Sequence, residues 1–169
     1  MCILIVKPAG VGLPPQHLLE RYAQRNPHGF GYATGAKTYK TMSYKAFLRE
    51  IAKEDASEAM LIHFRYATHG SKKKNNCHPF KDEATGVVFA HNGILPVQPI
   101  GDMTDSETAF RWLFQPHIAQ GGIYSRALAK EVKSIIGGSK VAFINALGQI
   151  KTFGEFTEVD GIYYSNMRY

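Results

Sequence analysis

The stretch Cys2-Ile3-Leu4-Ile5-Val6, closed by Lys7-Pro8, is an unbroken apolar run at the very start of the sequence. It is far shorter than the roughly 18 residues of a membrane span. No basic segment precedes it, so it does not read as the core of a secretion signal. It reads as a buried β-strand. Strands of the same character are expected at residues 30–34, 39–42, 60–65, 87–91, 141–147, 150–153 and 162–165. Gly35-Ala36-Lys37 turns the first two of these into a pair.

Helices are interspersed with the strands. Leu18, Leu19, Tyr22 and Ala23 recur at helical spacing between Pro15 and Asn26-Pro27. Ser43 can cap a second helix whose apolar positions are Ala46, Phe47, Ile51 and Ala52. Thr104-Asp105-Ser106-Glu107 has capping-box spacing and opens a third helix, expected through about Phe114. A fourth pattern spans residues 124–136 and stops at Gly137-Gly138. Residues 66–82 read as one long polar loop. The expectation is a mixed α/β layered domain with mostly antiparallel sheets.

The 169 residues, 44% hydrophobic and 20% charged, exclude a disordered chain and fit a single domain over residues 1–169. Two cysteines supply no disulfide framework, so a reducing, cytoplasmic setting is expected. A net charge of +6 is modest for a nucleic-acid binder. No phosphate-binding glycine motif occurs, and His63, His69, Cys77, His78 and His91 match no compact zinc spacing. No metal or cofactor is expected.

Several residues admit both a chemical and a purely structural role. Removal of Met1 would put the Cys2 thiol beside a free α-amine of ordinary pKa about 7.7–8.0, a nucleophile and its base in one residue. Equally, Cys2 is a small apolar residue opening a strand. His91-Asn92-Gly93 between apolar runs is a type I′ hairpin signal. Its Asn92 amide and Gly93 N–H can also form an oxyanion hole. Arg65 can pair bidentately with a ligand carboxylate or form an ordinary ion pair. Asp105 can hold an ammonium group or simply answer the helix dipole. Lys72-Lys73-Lys74 is either a phosphate contact or a solvated loop. A Cys–His pair using His78 or His91 is a further possibility.

Taken in order, the motifs say more. They are Met1-Cys2, Asn26-Pro27-His28-Gly29-Phe30-Gly31, His63-Phe64-Arg65-Tyr66-Ala67-Thr68-His69-Gly70, Asn76-Cys77-His78-Pro79-Phe80, His91-Asn92-Gly93 and Asp105-Ser106-Glu107. This series resembles the class II glutamine amidotransferases, N-terminal-nucleophile (Ntn) hydrolases that take ammonia from glutamine. The likeness runs from residue 2 to about residue 110, with a weaker echo at Tyr163-Tyr164-Ser165-Asn166.

The resemblance implies an α+β fold, a four-layer αββα sandwich with two mostly antiparallel sheets between helix layers. It implies Cys2 as nucleophile and Asn92 with Gly93 as the oxyanion hole. Arg65 would take the glutamine α-carboxylate and Asp105 its α-ammonium. Thr68, His69 and Gly70 would line the pocket, the first two supporting the carboxylate site. The loop carrying Lys72-Lys73-Lys74 would close over glutamine. The implied reaction passes through a γ-glutamyl thioester to glutamate and ammonia. The larger acceptor domain usual in the family is absent from these residues, so a separate synthase protein is the expected partner. Two alternatives stand beside it: a non-catalytic glutamine-binding module if Met1 is retained, and an Ntn amidase acting on another amide.

Overall fold

The computed structural model describes residues 1–67 and 71–168. The first half runs β1 (Ile3–Lys7), α1 (Gln16–Arg25), β2 (Phe30–Ala33), β3 (Thr38–Thr41), α2 (Tyr44–Ile51) and β4 (Met60–Phe64). The second half begins with β5 (Phe80–Lys81), β6 (Val88–Asn92), α3 (Asp105–Ala109), α4 (Gln115–Gly121) and α5 (Arg126–Ile135). It closes with β7 (Lys140–Ile144), β8 (Ile150–Phe153), β9 (Thr157–Val159) and β10 (Ile162–Tyr164).

Among the described residues every strand pairing is antiparallel, and the strands form two sheets. One has the order β3-β2-β4-β1-β10-β9 and the other β5-β6-β7-β8. The period-2 geometry of a strand then decides the layers. In β1, Ile3 and Ile5 pack with Leu19, Tyr22 and Ala23 of α1 and with Phe47 and Ile51 of α2. Leu4 and Val6 face the other way and meet Val88, Ala90, Ala142 and Ile144 of the second sheet. The alternate residues Phe89, Val141 and Phe143 pack against Phe110, Phe114, Leu128 and Val132 of the second helical layer. All five β1 residues are therefore buried, because both faces of the strand are covered. The result is the expected αββα sandwich.

Three local features differ from the sequence expectation. The helix opened by Thr104 does not end at Phe114. It passes through a π turn over Phe110–Phe114 and continues as α4. Pro116 lacks an N–H, and the widened turn lets the Gln115 N–H bond the Phe110 carbonyl one residue before it. The loop over residues 66–82 is not wholly irregular, since β5 pairs with β6 at its end. Strand β9 lies at a sheet edge, exposed along its length, and at three residues it is too short to show a periodicity.

Candidate active site

Four strand ends meet at one end of the sandwich. Antiparallel pairing sets Ile3 opposite Phe64 and Ile5 opposite Tyr164. One step outward, Cys2 therefore stands level with Arg65, and Ser165 with Leu4. The Tyr66 N–H donates to Cys2 Sγ at 3.2 Å, and Sγ lies 3.5 Å from the Tyr66 carbonyl oxygen. Burial pushes the Cys2 thiol up, while the Tyr66 backbone, the chain-terminal ammonium and the Arg65 guanidinium pull it back. The thiol needs a base to become a nucleophile.

Arg65 is 4% exposed and donates from Nη1 to the Ser71 carbonyl at 3.1 Å. Among the described residues it has no acidic partner. A buried guanidinium without a carboxylate is costly, and a ligand carboxylate would relieve that cost.

The His91-Asn92-Gly93 segment departs from the hairpin expectation. β6 ends at Asn92, and Gly93 has φ +140°, away from the roughly +60° to +90° of a type I′ turn. The chain then leaves the sheet rather than folding back as a strand. The Leu95 N–H goes to Asp105 Oδ2 at 2.8 Å, and the Ile94 carbonyl takes the Ser139 hydroxyl at 3.1 Å. A side chain at Gly93 would collide with Ser139. Asn92 Nδ2 donates to Ser165 Oγ at 2.8 Å, leaving its second amide hydrogen available.

Sequence reasoning did not assign roles to Ser165 and Asn166. The Ser165 hydroxyl oxygen also accepts the Leu4 N–H at 2.9 Å, and Asn166 Nδ2 donates to the Cys2 carbonyl at 3.0 Å. The two residues that follow β10 thus tie Cys2 and Asn92 together. The faint motif echo at Tyr163-Tyr164-Ser165-Asn166 was its signal in the sequence.

Cys2, Arg65, Gly93 and Asp105 border a common cavity of about 570 Å³. Asn92 is not itself among the lining residues; it is 5% exposed and sits between His91 and Gly93, which are. Lys73 reaches the cavity wall. Thr68, His69 and Gly70 lie outside the described residues. Cys77 is fully buried, its Sγ 3.7 Å from Met42 Sδ. The two sequence motifs around it interlock: a Cβ on Gly31 would strike the backbone at His78, so only glycine allows β2 to approach that segment. Among the described residues no cluster of three His, Cys, Asp or Glu is placed to hold a metal ion. Among them also, no helix is long and apolar enough to cross a membrane.

Three buried histidines underlie the site. The His63 and His78 rings lie 4.4 Å apart between centroids, and His78 and His91 lie 6.2 Å apart. Burial holds His63 down to about 3 and His91 to about 4, with Asp105 pulling His91 partly back. Burial and its charged neighbours keep His78 well below the ordinary value. Folded, these rings are neutral; unfolded, they take up protons near pH 6.5. Below that pH the unfolded chain binds more protons, so stability falls as pH drops toward the folded values. The loss amounts to about 1.4 kcal/mol per pH unit for each histidine. The urea midpoint is expected to decline steadily from about pH 7 to about pH 5; a flat midpoint would contradict neutral burial of the rings.

Known proteins resemble this chain in sequence and in fold. The family model for class-II glutamine amidotransferases matches residues 37–156. The glutamine-fructose-6-phosphate aminotransferase (isomerizing) of Methanococcus maripaludis is 35% identical over 82 residues, 46% of this chain and 14% of that protein. The enzyme of the same name from Bacillus thuringiensis is 34% identical over 82 residues, with the same coverages of 46% and 14%. The solved glutamine phosphoribosylpyrophosphate amidotransferase of B. subtilis, complexed with ADP and GMP, superposes with a TM-score of 0.62 at 14% identity. That alignment covers 97% of this chain and 41% of the other, and at such identity it speaks for the fold alone. With well over half of its length matched by the family model, the chain belongs to the class II glutamine amidotransferases.

Proposed function

We propose that residues 1–169 act as one glutaminase-type domain that hydrolyses the side-chain amide of glutamine and supplies ammonia to an acceptor on a partner protein. The observation that carries this reading is the pairing of Cys2 with a buried Arg65 that, among the described residues, lacks an acidic partner, on adjacent strand ends, with Asp105 bordering the same cavity. Arg65 takes the α-carboxylate and Asp105 the α-ammonium of a free amino acid. Thr68, His69 and Gly70 are proposed to complete the pocket wall.

Loss of Met1 frees the Cys2 α-amine, which accepts the thiol proton as Sγ attacks the amide carbon. The Gly93 N–H and the second hydrogen of Asn92 Nδ2 stabilise the oxyanion. The protonated α-amine returns its proton to the departing ammonia as the C–N bond breaks, leaving a γ-glutamyl thioester. Water then attacks the thioester, releasing glutamate and restoring the thiol. The raised thiol pKa is consistent with a built-in base, since little thiolate forms without one.

On this reading the ammonia acceptor lies outside these residues, which is in keeping with the matched segment making up only 14% of the aminotransferases it resembles. Two free thiols suit a reducing cytoplasm. Intact mass spectrometry after incubation with 6-diazo-5-oxo-L-norleucine tests the reading. Loss of Met1 and a single adduct at Cys2 are expected; a Met1-free chain that stays unlabelled refutes the nucleophile.

A further inference from the structure

A hydrogen-bonded chain links β6 to the candidate ammonium site. His91 Nδ1 lies 2.8 Å from Ser106 Oγ, and Ser106 Oγ lies 3.3 Å from Asp105 Oδ1. The other Asp105 oxygen accepts the Leu95 N–H at 2.8 Å. The direction of the bonds follows from the donor inventory. A carboxylate only accepts, so the single hydroxyl hydrogen of Ser106 goes to Asp105. Ser106 Oγ is then left to accept, and His91 must carry its hydrogen on Nδ1. That tautomer leaves Nε2 as the lone-pair nitrogen, and among the described residues His91 Nε2 is indeed buried without a partner. Burial keeps the ring neutral down to about pH 4, so the arrangement persists at neutral pH. His91 and Ser106 are 1% and 4% exposed, and both border the same cavity as Asp105.

A buried imidazole nitrogen without a partner is unfavourable, and an apolar residue beside Phe89 would avoid it. The one hydrogen bond His91 side-chain atoms make among the described residues is the bond to Ser106. We propose that His91 is a positioning residue that acts through Ser106: it turns the Ser106 hydroxyl onto Asp105 and so sets the carboxylate that receives the substrate's α-ammonium. This rests on the glutamine reading above. The remaining lone pairs of Asp105 are then aimed by three fixed partners, Leu95, Ser106 and, through it, His91.

The test uses the Cys2→Ala chain, so that ligands bind without turnover, and calorimetric titration with two compounds. One is L-glutamine; the other is glutaramate, which is glutamine without its α-amino group. Ser106→Ala and His91→Leu are expected to weaken glutamine about 10-fold and leave glutaramate unchanged. His91→Asn, whose amide N–H replaces the Nδ1 donor, is expected to restore glutamine binding. Ser106→Ala removes only a hydroxyl, so it carries the test if a His91 variant does not fold. Equal weakening of both ligands would mean a merely structural link and overturns the inference, as does unchanged glutamine binding in Ser106→Ala. A Cys2→Ala parent that binds neither compound overturns the glutamine reading and this inference with it.

Discussion

Replacing Cys2 with alanine is expected to abolish ammonia release from glutamine, by about 10⁴-fold or more, while glutamine still binds. The size of the effect follows from the chemistry: without the thiol there is no atom to form the thioester, and water alone must attack an unactivated amide. Binding should persist because the proposed anchors are elsewhere. Arg65 is held from Ser71 and Asp105 from Leu95 and Ser106, and none of these contacts involves Sγ. The fold should also persist. The described contacts of Cys2 Sγ are with the Tyr66 N–H and carbonyl, both weak sulfur hydrogen bonds, and the strand pairing of β1 is made by its backbone. Glutamate release and calorimetric titration measure the two halves of the prediction. An alanine variant that turns over at the parent rate would remove Cys2 from the mechanism.

Asn92→Ala is expected to lower kcat by about 100- to 1,000-fold, the usual consequence of deleting one oxyanion donor. KM should change little, because the oxyanion exists only after attack. A smaller structural cost accompanies it. Asn92 Nδ2 donates to Ser165 Oγ, and losing that bond should cost about 1 kcal/mol. The Leu4 N–H still reaches the same hydroxyl, so Ser165 is not left without a partner. Steady-state kinetics beside a thermal melt separates the two effects. A variant with parent-like kcat would leave Gly93 as the sole donor and refute the role given to Asn92.

Much of the fold was legible because most of its strands cover both faces or alternate cleanly. β1 is apolar without interruption since helices cover one face and the second sheet the other. Helices α1, α2 and α5 announced themselves by apolar spacing, with Ser43 capping α2 and Gly137-Gly138 stopping the α5 pattern; the Ser125 cap of α5 emerged only in the structure. The continuation through the π turn was not legible. Pro116 ordinarily argues for a helix start, and only the packing of Phe110 and Phe114 under the second sheet keeps the helix going. The Asn-Gly hairpin expectation failed for a related reason: local turn chemistry was overridden by Asp105 and Ser139, which capture the backbone after Gly93.

The candidate site divides in the same way. Cys2, Arg65, Gly93 and Asp105 were readable as residues because motif order marks them, and the structure brings all four to one cavity. Ser165, Asn166 and the His91–Ser106 link were not readable as partners, since they join positions up to 164 residues apart in the chain.

The sequence by itself determined the strand at the chain start, the layering of helices on sheets and the kinds of side chain offered to chemistry. Those follow from periodicity, capping and residue type, which are local properties of the chain. Only the tertiary structure decided that Cys2 stands level with Arg65, that Asn92 hangs from Ser165, and that the Ser106 hydroxyl lies between His91 and Asp105. Strand register and burial decide those contacts, and they are set by the sandwich as a whole rather than by any one segment.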